Sequence, residues 1–158
     1  MIVENCMKRQ VIFIQDSATV QDAAQMFAIH HIGTLPVINP AGQLVGILDL
    51  RDLLQLTTPT FVSLIEDFDF VGDFGAVEEF QPTQALLQKP VNQIMERACS
   101  VEAQSGLLRA FSFILKHDLY DLPVVDNNNR LVGLASKVDI GNALLAKWPT
   151  VNLAEKKS

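Results

Sequence analysis

The fold is decided by a stretch that occurs twice, as HHIGTLPVINPAGQLVGILDLRD at residues 30–52 and as HDLYDLPVVDNNNRLVGLASKVD at residues 117–139. Aligned at a constant offset of 87 positions, the two stretches share eight identical residues out of 23. The apolar positions between the identities also match in kind. A fixed offset with matched apolar spacing indicates an internal duplication. The chain is therefore two copies of one structural unit.

Each copy predicts the same order of elements, β-α-β-β-α. Helices are predicted from apolar residues at helical spacing, as with Leu107, Phe111 and Ile114, and strands from short apolar runs bounded by polar turns. Because one such unit leaves a sheet face uncovered, we expect an α/β (α+β) fold in which two units pack as a pseudo-two-fold pair. The first strand is predicted at 11–14 and 98–101, and the first helix at 19–30 and 106–117. The second strand is predicted at 35–38 and 122–125, the third at 44–48 and 131–135, and the final helix from about 49 and 136.

Composition excludes several classes of protein. The 158 residues are 49% hydrophobic and 19% charged, which argues against disorder. A net charge of −6 argues against nucleic-acid binding, which needs a basic face. The apolar runs are only of strand length, so no membrane insertion is expected. Two cysteines, Cys6 and Cys99, are too few for a disulfide framework and indicate reduced thiols in a cytoplasm.

The chain divides into unit 1 at residues 1–56, a linker at 57–89, unit 2 at 90–150 and a tail at 151–158. The linker is acidic and rich in phenylalanine. It predicts a helix beginning at Thr58 and Pro59, followed by an acidic loop. The alternative is a surface for a partner protein. Residues 67–78 also resemble a calcium loop, but Val71 interrupts the liganding pattern.

The duplicated pattern resembles the CBS domain, of which a tandem pair is often called a Bateman module. The resemblance rests on Leu-Pro-Val followed by Val or Ile, a polar turn, Leu-Val-Gly, and an Asp six residues after that Gly. It covers roughly residues 3–56 and 90–147. The ligand signature of the family is Gly, two apolar residues, Ser or Thr, two free positions, and Asp. The second copy keeps it as Gly133, Ser136 and Asp139, whereas the first copy has Asp49 in place of the hydroxyl residue.

The same residue types suit a nucleotide on chemical grounds. A carboxylate at a helix start accepts hydrogen bonds from both ribose hydroxyls, and helix N-terminal amides favour phosphate oxygens. Ser136 offers a hydroxyl and Lys137 a cation. Ser136 and Asp139 are also spaced as a capping box that only closes the helix start. The sequence leaves both interpretations open.

The resemblance implies two clefts, each combining the Asp of one copy with the first half of the other. We name them site A and site B. Asp49 and Asp121 are expected to make site B acidic, so that it opposes phosphate unless Arg51 or Arg97 compensates. Phe13, where the family often has Thr, is expected in the core. Site A is predicted from Gln10, Ile12, Gly33, Thr34, Pro36, Ser136, Lys137 and Asp139, and the weaker site B from Asp49, Arg51, Asp52, Arg97, Cys99, Tyr120 and Pro123.

The function that this resemblance implies is that of a cytoplasmic regulatory module without catalytic activity. Its regulatory ligand would be AMP, ADP, ATP or S-adenosylmethionine, with no resident cofactor and no metal, and it would signal to an unidentified protein. Alternatives are a ligand-free scaffold acting through the linker and an enzyme whose active site forms at a dimer interface. A homodimer is expected through helix faces carrying Met26, Phe111 and Leu115. His30 and His117 are expected at helix ends.

Overall fold

The computed structural model describes residues 1–56 and 81–149 of the chain. The predicted linker helix at Thr58, the calcium-loop positions and most of the acidic, phenylalanine-rich surface lie outside the described residues, as does the tail. Within the part of the linker that is described, a short helix follows Thr83, whose hydroxyl accepts a hydrogen bond from the amide of Leu86. The sequence analysis did not predict this helix.

The β-α-β-β-α order is confirmed in both units. The first strands are shorter than predicted and lie one residue further along the chain, so that residues 11–13 and 98–100 are outside them. Short 3-10 helices at Val3–Asn5 and Val91–Gln93 precede the two units. The elements are β1 (Ile14–Gln15), α1 (Val20–His30), β2 (Thr34–Ile38), β3 (Leu44–Asp49), α2 (Leu50–Gln55), α3 (Gln84–Leu87), β4 (Val101–Glu102), α4 (Leu107–His117), β5 (Asp121–Val125), β6 (Leu131–Ser136) and α5 (Lys137–Leu145).

Each unit has one three-stranded sheet with the same topology. The central strand pairs in parallel with the short first strand and antiparallel with the third, giving the orders β1-β2-β3 and β4-β5-β6. Both long helices end where predicted, at His30 and His117. The next residues, His31 and Asp118, adopt left-handed backbone conformations with φ of 51° and 50°, which stops each helix.

The first segment of each unit, before its first strand, packs on the opposite unit. We call residues 2–13 the first arm and residues 89–100 the second arm. In the first arm, Lys8 and Leu134 exchange two backbone hydrogen bonds of 2.9 Å. In the second arm, Glu96 and Ile47 exchange two bonds of 2.9 and 3.0 Å. The arms are therefore crossed, and each unit is completed by a segment from the other.

The cores show the same exchange. Val3 of the first arm is fully buried in the core of unit 2, and Val91 of the second arm is fully buried in the core of unit 1. Glu4 holds the first arm at the surface of unit 2, since it accepts a hydrogen bond of 2.7 Å from Gln104. Separating the two units would expose both cores, so the pair behaves as one folding unit.

Two glycines permit the close approach of the arms. A Cβ atom on Gly133 would overlap the thioether of Met7, and one on Gly46 would overlap that of Met95. The glycine of each Leu-Val-Gly segment is therefore required for packing, whatever its part in ligand binding.

The two units also meet at the turns between the second and third strands. The amide of Leu44 donates to the carbonyl of Asn129 at 2.9 Å, and the amide of Leu131 donates to the carbonyl of Gly42 at 3.2 Å. Gly42 and Asn129 occupy equivalent positions in the repeat, and both have positive φ. The two turns therefore face each other across the pseudo-two-fold axis, and their hydrogen bonds link the two sheets.

Replacing Gly133 by Ala is expected to lower the free energy of unfolding by about 1–3 kcal/mol, the usual cost of overpacking. Met7 can swing aside only by losing its contacts, and the backbone carbonyl of Lys8 lies 3.2 Å from the new Cβ. Gly141→Ala is the control, because nothing lies within 4 Å of its Cβ position inside α5. This variant should gain up to about 1 kcal/mol from helix propensity. Denaturant unfolding measures both, and equal stability of Gly133→Ala and the unmodified protein would contradict the packing role.

Candidate ligand clefts

One cleft is lined by residues of both units, and the predicted site A residues in it all come from unit 1. It has a volume of about 260 Å³. Unit 1 contributes Gln10 and Ile12 from its arm, with Gly33 and Thr34 at the start of β2. The other lining residues are Lys8, Val11, His31, Ile32, Asp121 and Leu134. We keep the name site A for this cleft.

The predicted residues at the start of α5 lie beside this cleft and not among its lining residues. Ser136 is directly paired with Asp121 across β5 and β6. The amide of Ser136 donates to Oδ2 of Asp139 at 3.0 Å, and the amide of Asp139 donates to Oγ of Ser136 at 3.0 Å. This is a complete capping box, as one of the two interpretations predicts. The side chain of Lys137 is exposed, and its amide donates to the carbonyl of Tyr120 at 2.7 Å.

The first arm brings a thiol into the electrostatic reach of Asp139. Cys6 packs against the core of unit 2. Burial raises the pKa of the Cys6 thiol, and the negative charge of Asp139 raises it further. The carboxylate that the signature assigns to a ligand therefore lies within electrostatic reach of the first arm.

Three residues are not where the sequence predicts them. Asp121 lines site A, although it was expected in site B, because it begins β5 next to the first arm. The side chains of Pro36 and Pro123 are fully buried in the middle of β2 and β5. They leave no surface for a ligand in this arrangement.

The residues predicted for site B are divided between two clefts. One, of about 450 Å³, includes Asp49, Arg51 and Tyr120. The other, of about 280 Å³, includes Asp49 and Asp52. Arg97 and Cys99 line neither of them.

Acidic groups dominate this side of the molecule. The smaller cleft adds Glu96 of the second arm to Asp49 and Asp52. Arg51 lies 3.7 Å from Asp52, so its charge is already partly matched. A carboxylate oxygen of Asp49 accepts a hydrogen bond of 3.2 Å from the amide of Arg51 and caps α2. Among the described residues that line these two clefts, Arg51 is the one cation.

The sequence analysis missed Lys8 and His31 in site A and Glu96 near site B. A second register of the repeat, offset by 88 positions, contained the signal for both arms. It aligns Val3 with Val91, Met7 with Met95 and Arg9 with Arg97. The stretch from Met7 to Ile14 is one residue longer than the equivalent stretch from Met95 to Val101. The offset between the two copies therefore changes from 88 positions in the arms to 87 in the rest of the repeat.

Comparison with known proteins agrees with this geometry. The sequence model of the CBS domain matches residues 3–57 and 91–146, which together make up most of the chain. The chain belongs to the CBS domain family. A CBS domain-containing protein of Bacillus subtilis, YhcV, is 30% identical over 87% of this chain and 81% of its own length.

Solved CBS pairs have the same fold. The structure of CBSX2 from Arabidopsis thaliana has a TM-score of 0.70 and 25% identity, and it covers 92% of this chain and 94% of that one. A second structure, of CBSX2 in complex with AMP, has a TM-score of 0.68 at 24% identity and covers 92% and 96%. The CBS pair of protein MJ0100, in complex with 5'-methylthioadenosine and S-adenosyl-L-methionine, has a TM-score of 0.67 at 21% identity and covers 94% and 98%.

None of the helices in residues 1–56 and 81–149 has the length and apolar character that a membrane span requires. No group of three or more His, Cys, Asp and Glu side chains there is arranged to hold a metal ion.

Replacing Asp139 by Asn is expected to lower the pKa of the Cys6 thiol, because it removes the nearby negative charge while burial remains. Cys6 should then react with iodoacetamide at lower pH than in the unmodified protein. Burial also raises the pKa of Cys99, and Lys116 partly offsets that effect, so Cys99 provides an internal control. Mass spectrometry of the alkylated peptides measures both rates. An unchanged pH profile for Cys6 would place Asp139 away from the arm.

Proposed function

We propose that this CBS pair is a cytoplasmic regulatory module that binds an adenosine-containing ligand in site A and catalyses no reaction. The proposal rests on one observation, that both units line site A. The first arm and β2 of unit 1 form one side, and β5 and β6 of unit 2 form the other. The complexes of CBSX2 with AMP and of MJ0100 with S-adenosyl-L-methionine support this ligand class.

The capping box and a ribose site are compatible in one residue. Asp139 uses Oδ2 for the amide of Ser136, and an ionised carboxylate has about four acceptor positions on its two oxygens. The remaining positions can accept from ribose hydroxyls while α5 stays capped. The two alternatives left open by the sequence therefore do not compete, and we assign both to Asp139.

The other walls of site A supply complementary groups. Ile12 and Leu134 provide apolar surface for a purine, and Thr34 provides a hydroxyl. Lys8 provides a cation for a phosphate, while Asp121 brings a negative charge. We infer that the site takes a ligand of low negative charge, AMP or S-adenosylmethionine, ahead of ADP and ATP.

Site B is proposed as the weaker site. At an effective dielectric constant of about 20, a unit charge about 4 Å from a phosphate charge costs about 4 kcal/mol before screening. Asp49, Asp52 and Glu96 all line the smaller cleft there. A ligand without phosphate is therefore favoured on this side.

The proposed mechanism is a population shift. A ligand that contacts both units binds best to one relative arrangement of them and increases the population of that arrangement. An unidentified partner protein would sense the difference. Because the arms and turns already hold the units together, the change that the partner reads is expected to be small.

We also propose a homodimer through the long helices. On α4, Leu108 and Leu115 are 73% and 59% exposed. They lie one turn before and one turn after Phe111, which is half-buried. Met26 on α1 is also half-buried. The equivalent residues of α1 are Gln21, Ala24 and Ala28, so the apolar face is stronger on unit 2. Light scattering at tens of micromolar measures the mass, and a monomer there contradicts the dimer.

The ligand class is tested first with a thermal-shift panel of AMP, ADP, ATP and S-adenosylmethionine, and the tightest ligand is then titrated calorimetrically. Asp139→Asn should weaken binding about ten- to hundredfold, because it removes a charge-assisted pair worth roughly 1.5–3 kcal/mol. Asp52→Asn is the matched control in the other unit and should leave that affinity within a factor of about two. Equal affinity for Asp139→Asn and the unmodified protein would reduce Asp139 to a helix cap.

A further inference from the structure

The first arm has a second cleft on its other side. It is lined by Arg9, Val11 and Phe13 of the arm, by Ile38 and the turn at residues 40–42, and by Arg130 and Leu131 of unit 2. We call it the arginine cleft. We propose that it binds a small organic anion, an aromatic or apolar body bearing one carboxylate, sulfonate or phosphate group. The proposal is independent of the function assigned to site A.

Alternate residues of the first arm divide between the two clefts. Gln10 and Ile12 line site A, whereas Arg9 and Phe13 line the arginine cleft, and Val11 borders both. Phe13 was expected in the core, but its side chain is 45% exposed. Leaving an aromatic ring in contact with water forgoes the free energy of its burial. A ligand that covers the ring would recover that free energy.

The cations of the cleft come from both halves of the molecule. Arg9 donates to a carboxylate oxygen of Glu4 at 2.9 Å, so its charge is already paired within the arm. Arg130 forms no ion pair with any described residue. Its own amide donates to the carboxylate of Asp126, which leaves the guanidinium as the free donor. Arg130 is therefore the group available to an anion.

Nearby backbone amides are already used. Those of Ala41 and Gly42 donate to Asn39, and that of Leu131 donates to Gly42. Recognition of an anion in this cleft thus depends on guanidinium groups, which pair with carboxylates and phosphates through two parallel hydrogen bonds.

The repeat shows that the cleft is not an automatic product of the fold. Arg130 is equivalent to Gln43, and Phe13 is equivalent to Ser100, since both pairs directly correspond at the 87-residue offset. The second arm has Glu96 in place of Lys8 and is one residue shorter before its strand. Arg97 keeps the position of Arg9, whereas Arg130 and Phe13 have no counterpart across the pseudo-two-fold axis.

The dimensions fit a small molecule. The cleft has a volume of about 490 Å³, within the range of about 300–1,000 Å³ that is usual for ligand sites. Phe13, Ile38 and Leu131 supply apolar surface for the body of the ligand, and Arg130 lies at the same cleft for its acidic group.

The experiment is a fluorescence titration with 8-anilinonaphthalene-1-sulfonate, which joins an aromatic body to one sulfonate. The variants copy the other half of the repeat: Arg130→Gln follows Gln43, and Phe13→Ser follows Ser100. Arg130→Gln should weaken binding of this probe about tenfold or more, because it removes a charge-assisted pair with the sulfonate. Phe13→Ser should weaken it to a similar extent, because it removes the aromatic surface that the probe would cover. Binding to the unmodified protein should also weaken as salt is raised.

Trp148→Ala is the control, because it removes a large apolar side chain that is 59% exposed and does not line the cleft. It should leave the affinity unchanged. Circular dichroism checks that every variant is folded. The proposal is overturned if the unmodified protein does not bind the probe, if both cleft variants bind it normally, or if Trp148→Ala abolishes binding, which would assign the probe to that exposed side chain.

Discussion

The structure depends on the crossed pairing of the two arms. Lys8 pairs with Leu134 and Glu96 pairs with Ile47, each through two backbone hydrogen bonds. Val3 and Val91 then complete the cores of the opposite units. Without this exchange, each three-stranded sheet would lose a buried apolar residue and a neighbouring segment, and a sheet of this size needs such cover to be stable. The pairing also forms the clefts, because the first arm is a wall of both site A and the arginine cleft.

This arrangement explains how one short segment can connect binding to the state of the whole pair. A ligand bound in site A as proposed would contact the arm of unit 1 where it lies on unit 2, and it would stabilise the docked arm along with the cleft. Cys6 belongs to the same arm, and the negative charge of Asp139 in unit 2 raises the pKa of its thiol. The acidic surroundings of Asp49 make the pseudo-symmetric position less suited to phosphate. A duplicated fold thus presents two chemically different clefts.

The sequence predicted the duplicated β-α-β-β-α order and the ends of α1 and α4, because helical spacing and local capping determine them. It also predicted Gln10, Ile12, Gly33 and Thr34 together at site A through the family resemblance. It did not predict the arms, because they contact the opposite unit through isolated β-bridges and lack the alternation of apolar and polar residues that is typical of a strand. Asp121 and Phe13 were misplaced for the same reason. Asp121 lies beside the arm of the other unit, and Phe13 belongs to that arm. The arms correspond at an offset of 88 positions, so the repeat at 87 positions does not reveal their pairing.

The most direct test of the central claim, that a ligand in site A bridges the first arm and unit 2, is amide hydrogen exchange with and without AMP. The account predicts slower exchange on AMP addition in peptides covering residues 6–12 and 131–140. The equivalent peptides at 94–99 and 44–53 should change little, because site B is acidic. Protection of 94–99 and 44–53 instead, or no protection of the first arm at saturating AMP, would contradict it.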